Sequence, residues 1–324
     1  MSGLRVAAVM LLWAARLQSG VADCAPCHKA EVAHFAQSRM TSALEKASES
    51  AILKEHPKLA VTVGAFSFEI ARSPQEAVYT VKDDRGTFRV PLAWAFGQGT
   101  AGQTYLFQRE GNWYESRVSF FSALGGLDLT MGAQNIDPHG LPDGAGRPLS
   151  KAESVECFGC HATGAGTSMI AGIQCERCHG ASDTHVKSMT GMKKLGALST
   201  EEMSDLCGQC HRTWAQIAAG GPRGIQNVRF QPYRLANSKC YDAADSRIRC
   251  TACHDPHGAL ETSAATYDAK CLGCHSAKAS VRVCPKSTKD CVTCHMPKLD
   301  LPGAHKKFTD HMIRIVKANE KYPD

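Results

Sequence analysis

Seven short segments of this sequence could do chemistry, and they share one pattern: two cysteines three positions apart, followed at once by a histidine. Numbered I to VII in chain order, they are Cys24/Cys27/His28, Cys157/Cys160/His161, Cys175/Cys178/His179, Cys207/Cys210/His211, Cys250/Cys253/His254, Cys271/Cys274/His275 and Cys291/Cys294/His295. Thiols at this spacing on one helical turn point to one side. They can form thioethers with the two vinyl groups of a porphyrin, and the next imidazole then meets the iron. A single such motif would also read as half a zinc site or a redox dithiol. Zinc, however, needs paired half-sites, and nothing in either alternative requires a histidine after every pair. The motifs take 14 of the 16 cysteines and half of the 14 histidines. The expected cofactor is haem c, covalently bound, in seven copies.

Each iron has a sixth position to fill. Outside the motifs stand His34, His56, His139, His185, His257, His305 and His311, as many as the haems, which predicts mostly bis-histidine iron. His185 lies among small residues shortly after His179. His257 is three residues beyond His254, too near to reach the far face of the same haem, so it is expected to serve a neighbouring one. His311 is a late ligand, with His305 and His139 as further candidates; His56, beside Pro57, is left out of the ligand set. Met40 competes with His34 for the first haem. A thioether there would raise that haem's potential; the other reading is helix packing. Cys240 and Cys284 remain, and an exported chain favours a disulfide between them over free structural thiols.

The elements that must position these groups change along the chain. Residues 1–22 read as a signal peptide: Arg5, a ten-residue apolar run from Val6 to Ala15, and small residues up to Ala22, where cleavage is expected. No other stretch is apolar enough to span a membrane. Residues 23–56 hold motif I and a helical spacing of Ala30, Ala33, His34, Ala36 and Met40, with no Gly or Pro between Cys27 and His56. Residues 57–150 lack cysteine and turn to alternation: Val61, Val63, Phe66, Phe68 and Ile70, then Val78 to Val81, with a hairpin turn at Glu110-Gly111-Asn112. Residues 151–324 carry the other six motifs, all within 151–311 at about 27 residues per haem, too few for a core of side chains alone. The predicted fold is therefore a multihaem one, short α-helices and loops wrapped round a haem array, with a small antiparallel β module inserted after the first haem.

The formal charge of +6 includes Arg5 and Arg16 of the leader. Seven haems would add about fourteen propionate charges. The basic residues then pair with propionates, which excludes nucleic acid as the partner they point to.

At these residues the chain resembles multihaem cytochromes of the doubled-CXXCH type, grouped with the tetrahaem electron carrier of ammonia oxidisers. The likeness rests on Cys175-Glu176-Arg177-Cys178-His179-Gly180 with His185-Val186, on Cys253-His254-Asp255-Pro256-His257, and on Cys294-His295-Met296-Pro297-Lys298. The opening Cys27-His28-Lys29 with Phe35, Ser38 and Met40 is also similar. In related cytochromes a ligating histidine often stands where this chain has Met40. The resemblance covers 24–44 and 157–311; for 57–150 there is only a loose likeness to sheet inserts of soil-bacterial cytochromes. It implies a periplasmic electron carrier whose partners are other cytochromes or a membrane quinol-linked complex, with self-association and an outer-membrane or extracellular place as variants. Two alternatives stand beside it. One is a nitrite- or hydroxylamine-type oxidoreductase with an open haem, although all seven motifs end in histidine and no tyrosine stands out for a cross-link. The other is a subunit of a conductive filament or respiratory complex.

Overall fold

A computed structural model describes residues 21–164, 168–276 and 283–324. Most of the expected signal peptide, residues 1–20, thus lies outside the described residues. No helix among those described is long and apolar enough to cross a membrane.

The β module is much larger than the small insert expected. Nine strands form one antiparallel sheet: β1 (Leu44–Lys46), β2 (Lys58–Val63), β3 (Phe66–Arg72), β4 (Ala77–Asp83), β5 (Gly86–Gly99), β6 (Gly102–Arg109), β7 (Asn112–Phe121), β8 (Gly126–Leu129) and β9 (Gly146–Pro148). Strands β2 to β8 pair in chain order as a meander. The sheet curls until β2 packs near β8. Two short strands complete it: β1 pairs β5 and β9 pairs β7. Three-residue strands show no alternation, which is why the sequence pattern misses both. Their inclusion also corrects the helical reading of residues 23–56. Only Lys29–Phe35 and Ala51–Glu55 are α-helical between motif I and β2, and Met40 sits in a turn.

The anticipated hairpin joins β6 to β7, with Arg109 opposite Asn112. Glu110 and Gly111 both take positive φ, 52° and 80°, as a two-residue turn matched to strand twist requires. Alternation along β3 buries Phe66, Phe68 and Ile70. Their side chains join Tyr79, Tyr105, Phe107, Val118 and Phe120 in the main core. Seven of the eleven phenylalanines lie in β3 to β7, so a thin overall aromatic content is concentrated where the sheet needs it.

A second, smaller core joins sheet to helices. Phe158, inside motif II, sits with its ring 5.3 Å from Phe96, 5.6 Å from Trp113 and 6.1 Å from Trp94. Aromatic pairs at such spacing contribute beyond their buried area. The sheet therefore holds motif II from one side.

Candidate haem array

Helices carry motifs II, IV and VII whole, as the spacing requires. Motif II ends the helix Lys151–His161, motif IV ends Thr200–His211, and motif VII forms Cys291–His295. The two longest of these begin with reciprocal capping boxes, Ser150 with Glu153 and Ser199 with Glu202. Each box satisfies two otherwise orphaned N–H groups. Motif VII is seated by its neighbour: the buried Asp268 carboxylate, on the helix of motif VI, accepts the N–H groups of Asp290 (2.7 Å) and Cys291 (2.8 Å).

The motifs touch one another. Cysteine side chains of different motifs lie within hydrogen-bonding reach in four pairs: Cys24 with Cys175, Cys160 with Cys210, Cys207 with Cys250, and Cys271 with Cys291. Burial and the neighbouring Cys175 push the Cys24 thiol up to about 12. Arg177, between the two cysteines of motif III, reaches two other motifs. Its guanidinium donates to Gln209 Oε1 in motif IV at 2.7 Å and to the Gly159 carbonyl in motif II at 3.3 Å. The helix of motif V packs on that of motif VI. All seven motifs are thereby linked, in an order that differs from chain order.

The imidazoles test whether haem fits. Two nitrogens bound on opposite sides of one metal, each at about 2.0–2.1 Å, put their ring centroids roughly 6 Å apart. Three pairs meet that span: His28 with His185 at 6.2 Å, His179 with His257 at 6.0 Å, and His254 with His311 at 6.2 Å. In each, a motif histidine faces one from outside the motifs. The other ring nitrogen is often tied to backbone. Nδ1–H of His161 donates to the Ala43 carbonyl (2.8 Å), that of His295 to Arg314 (2.9 Å), and that of His311 to Thr309 (3.0 Å). Such bonds fix the tautomer and leave Nε2 for a metal. Nδ1 of His185 is buried with no hydrogen-bond partner. Burial pushes His161, His179, His211 and His254 below the ordinary histidine range, and His311 down to about 4. Neutral imidazole is the form that binds metal. The residues present fit a haem group.

The motif histidines differ in setting. His28, His211 and His275 are exposed, whereas His161, His179, His254 and His295 are partly buried. In motif VI the helix Ala264–Leu272 stops before Cys274, and the chain bends at His275. The backbone still keeps the motif's turn, with the His275 N–H donating to the Cys271 carbonyl at 2.9 Å. Motif spacing therefore predicts the loop of motif VI but not the setting of its imidazole.

Comparison with known proteins agrees. The doubled CXXCH motif family matches residues 168–216 and 243–280, and the cytochrome c554 and c-prime family matches 143–180. The multiheme cytochrome MtrA of Shewanella baltica (strain OS185) is 28% identical over 203 residues, which is 60% of this chain and 55% of that one. The chain is a multihaem c-type cytochrome. It spans about half the length of that curated relative. The crystal structure of the outer cell wall cytochrome OcwA shares the fold, with a TM-score of 0.53 and 15% identity, over 91% of this chain and 79% of that one.

The remaining predicted ligands stand in other surroundings. His305 donates from Nε2 to Asp128 on β8 at 2.8 Å, and its ring packs edge-on to Phe121 at 4.6 Å. It ties the C-terminal loop to the sheet, a role that a sequence scan for ligands does not suggest. His305→Ala should therefore leave haem content by mass and the EPR spectrum unchanged; a new high-spin signal would make it a ligand. His34 is half-exposed, with Nδ1 3.5 Å from Asp255. A Cβ on Gly258 would stand 2.7 Å from His34 Nε2, so that close approach needs glycine. His139 is exposed, and His56 packs on Phe120. The half-buried Met40 accepts the Ile173 N–H at its carbonyl (2.9 Å), which joins its turn to the approach to motif III. Among the described residues no ring pairing joins His161, His211 or His295 to a histidine outside the motifs. Cys240 and Cys284 are both free thiols, not the expected disulfide. Cys240 lies near Cys274 and Cys253, whereas Cys284 takes hydrogen bonds from the backbone of Lys286 and Ser287.

Proposed function

We propose that this cytochrome carries seven covalent haems and passes electrons through them as one connected conduit. The observation that carries this reading is the unbroken set of contacts between motifs. Haems attached to touching helices are themselves neighbours, and closely spaced porphyrins exchange electrons while the protein fixes their order and tunes their potentials. The contacts support a branched order: I beside III, III beside both II and IV, II beside IV, then V, VI and VII. Thioethers would come from the fourteen motif cysteines and one axial nitrogen from each motif histidine, the exposed His275 included. His185, His257 and His311 would complete haems I, III and V. The proposed organisation keeps a leader over 1–22, a monohaem segment, the sheet, and a hexahaem region from 151. The leader and the extracytoplasmic chemistry of haem attachment support a periplasmic place, with other redox proteins as partners.

A second reading has its own support. His305 is held by Asp128 and His139 is exposed, so fewer outside histidines than haems stand ready to ligate. An iron with an open position would allow small-molecule chemistry of the nitrite or hydroxylamine kind. EPR and near-infrared MCD of the oxidised holoprotein, with haem counted by mass, separate the two. Seven haems, all low-spin, match the carrier. A high-spin signal of about one haem supports an open site, and a mass showing fewer than seven haems overturns the count.

A further inference from the structure

Among the described residues the most deeply buried charges lie beside His311, and neither the imidazole pairs nor the motif contacts use them. Arg234 and Asp310 are fully buried, and Arg314 nearly so. Arg234 grips Asp310 with two parallel bonds, Nε to Oδ1 at 2.8 Å and Nη2 to Oδ2 at 2.9 Å. Arg314 Nη1 donates to the same Oδ2 at 2.7 Å, and the Met312 N–H donates to Oδ1 at 3.0 Å. Buried ion pairs of this kind add little net stability over apolar packing. A planar, bidentate guanidinium grip does fix direction.

What the grip fixes is visible on both sides. Asp310 is covalently next to His311, whose carbonyl accepts Ser238 Oγ–H at 2.9 Å. Its own N–H donates to the Pro297 carbonyl at 2.9 Å, just beyond motif VII. Arg314 closes a second loop: its N–H donates to the His295 carbonyl at 3.2 Å, and its carbonyl accepts Nδ1–H of His295 at 2.9 Å. One carboxylate thus stands between the imidazole facing His254 and the motif histidine of VII.

We infer that Arg234, Asp310 and Arg314 form a positioning unit that sets the imidazoles of His311 and His295 together, and so couples haems V and VII. The inference rests on His311 being the axial ligand of haem V. Asp310→Asn keeps the side chain's shape and removes the charge that both arginines grip. Arg234→Lys keeps the positive charge and loses the two-pronged geometry.

The test compares full-length holoprotein carrying His311→Ala, Asp310→Asn or Arg234→Lys by EPR, potentiometric titration and haem mass. His311→Ala should give one haem equivalent of high-spin iron. Asp310→Asn should change the low-spin signals of two haems, raise the potentials of those two by removing a buried negative charge, and leave the rest superimposable on wild type. Arg234→Lys should disturb the same two signals with a smaller potential change. If His311→Ala gives high-spin iron but the other two variants match wild type, the positioning role is wrong and the ligand assignment stands. If His311→Ala stays wholly low-spin, the ligand assignment falls and takes this inference with it. Should Asp310→Asn fail to accumulate with its haems, Arg234→Lys decides by the same two outcomes.

Discussion

His257→Ala should convert one haem from low spin to high spin while every haem stays covalently attached. The imidazole of His257 lies nearly parallel to that of His179, at 10° and 6.0 Å between centroids. Its backbone N–H donates to Asp255 Oδ1 at 2.8 Å, and Phe35 meets its ring edge-on at 6.4 Å. This is a side chain held from three directions at the span that two trans nitrogens would need. Thioether bonds do not depend on it, so haem mass is the control. Removing one of two strong axial nitrogens should leave about one haem equivalent of high-spin iron and raise its potential. EPR of the oxidised variant reads this directly. A spectrum that stays entirely low-spin would remove His257 from the ligand set.

Phe107→Ala should cost about 3–5 kcal/mol of stability, the usual range for emptying a large aromatic site in a packed core. The ring is 1% exposed and stands 5.4 Å from Tyr114, 6.0 Å from Phe88 and 6.1 Å from Tyr79. Strands on both sides of β6 contribute to that cage, so no single movement refills the space. Urea unfolding of the holoprotein, followed by far-ultraviolet circular dichroism in the strand region, measures the loss. A loss below about 1 kcal/mol would show that the sheet collapses onto the gap.

Local covalent chemistry was the easiest thing to read. A thiol pair and its histidine must be neighbours in sequence to serve one porphyrin, so all seven motifs stand out without any fold. The turn at Glu110-Gly111 was legible for a similar reason, since positive φ at two successive residues restricts what can stand there. Partnerships across sequence left no such mark. Nothing near Leu44 says that it will lie opposite Phe96, and nothing near Arg147 says that it will lie opposite Glu115. Arg177 stands between two cysteines of a motif, and its reach to Gly159 and Gln209 depends on how three helices pack. His305 has the residue type of a ligand and the surroundings of a strut, and only the position of Asp128 tells them apart. Even within a motif the spacing does not set burial: His161 and His275 follow identical cysteine pairs, and only the first ends a helix that packs on the sheet.

The paired imidazoles come from segments far apart in the chain: His28 precedes the whole sheet and His185 follows it. His254 waits in the same way for His311, near the C-terminal end of the sequence. On the proposed ligation, a nascent chain receiving its first porphyrin has no partner to offer the other side of the iron until much later residues have been exported. Maturation would therefore pass through haems that are attached but incompletely ligated, open meanwhile to water, peroxide or a chaperone. Nor would the array divide into modules: trimming the last fifteen residues would leave every thioether in place and take His311 from a haem fastened far upstream.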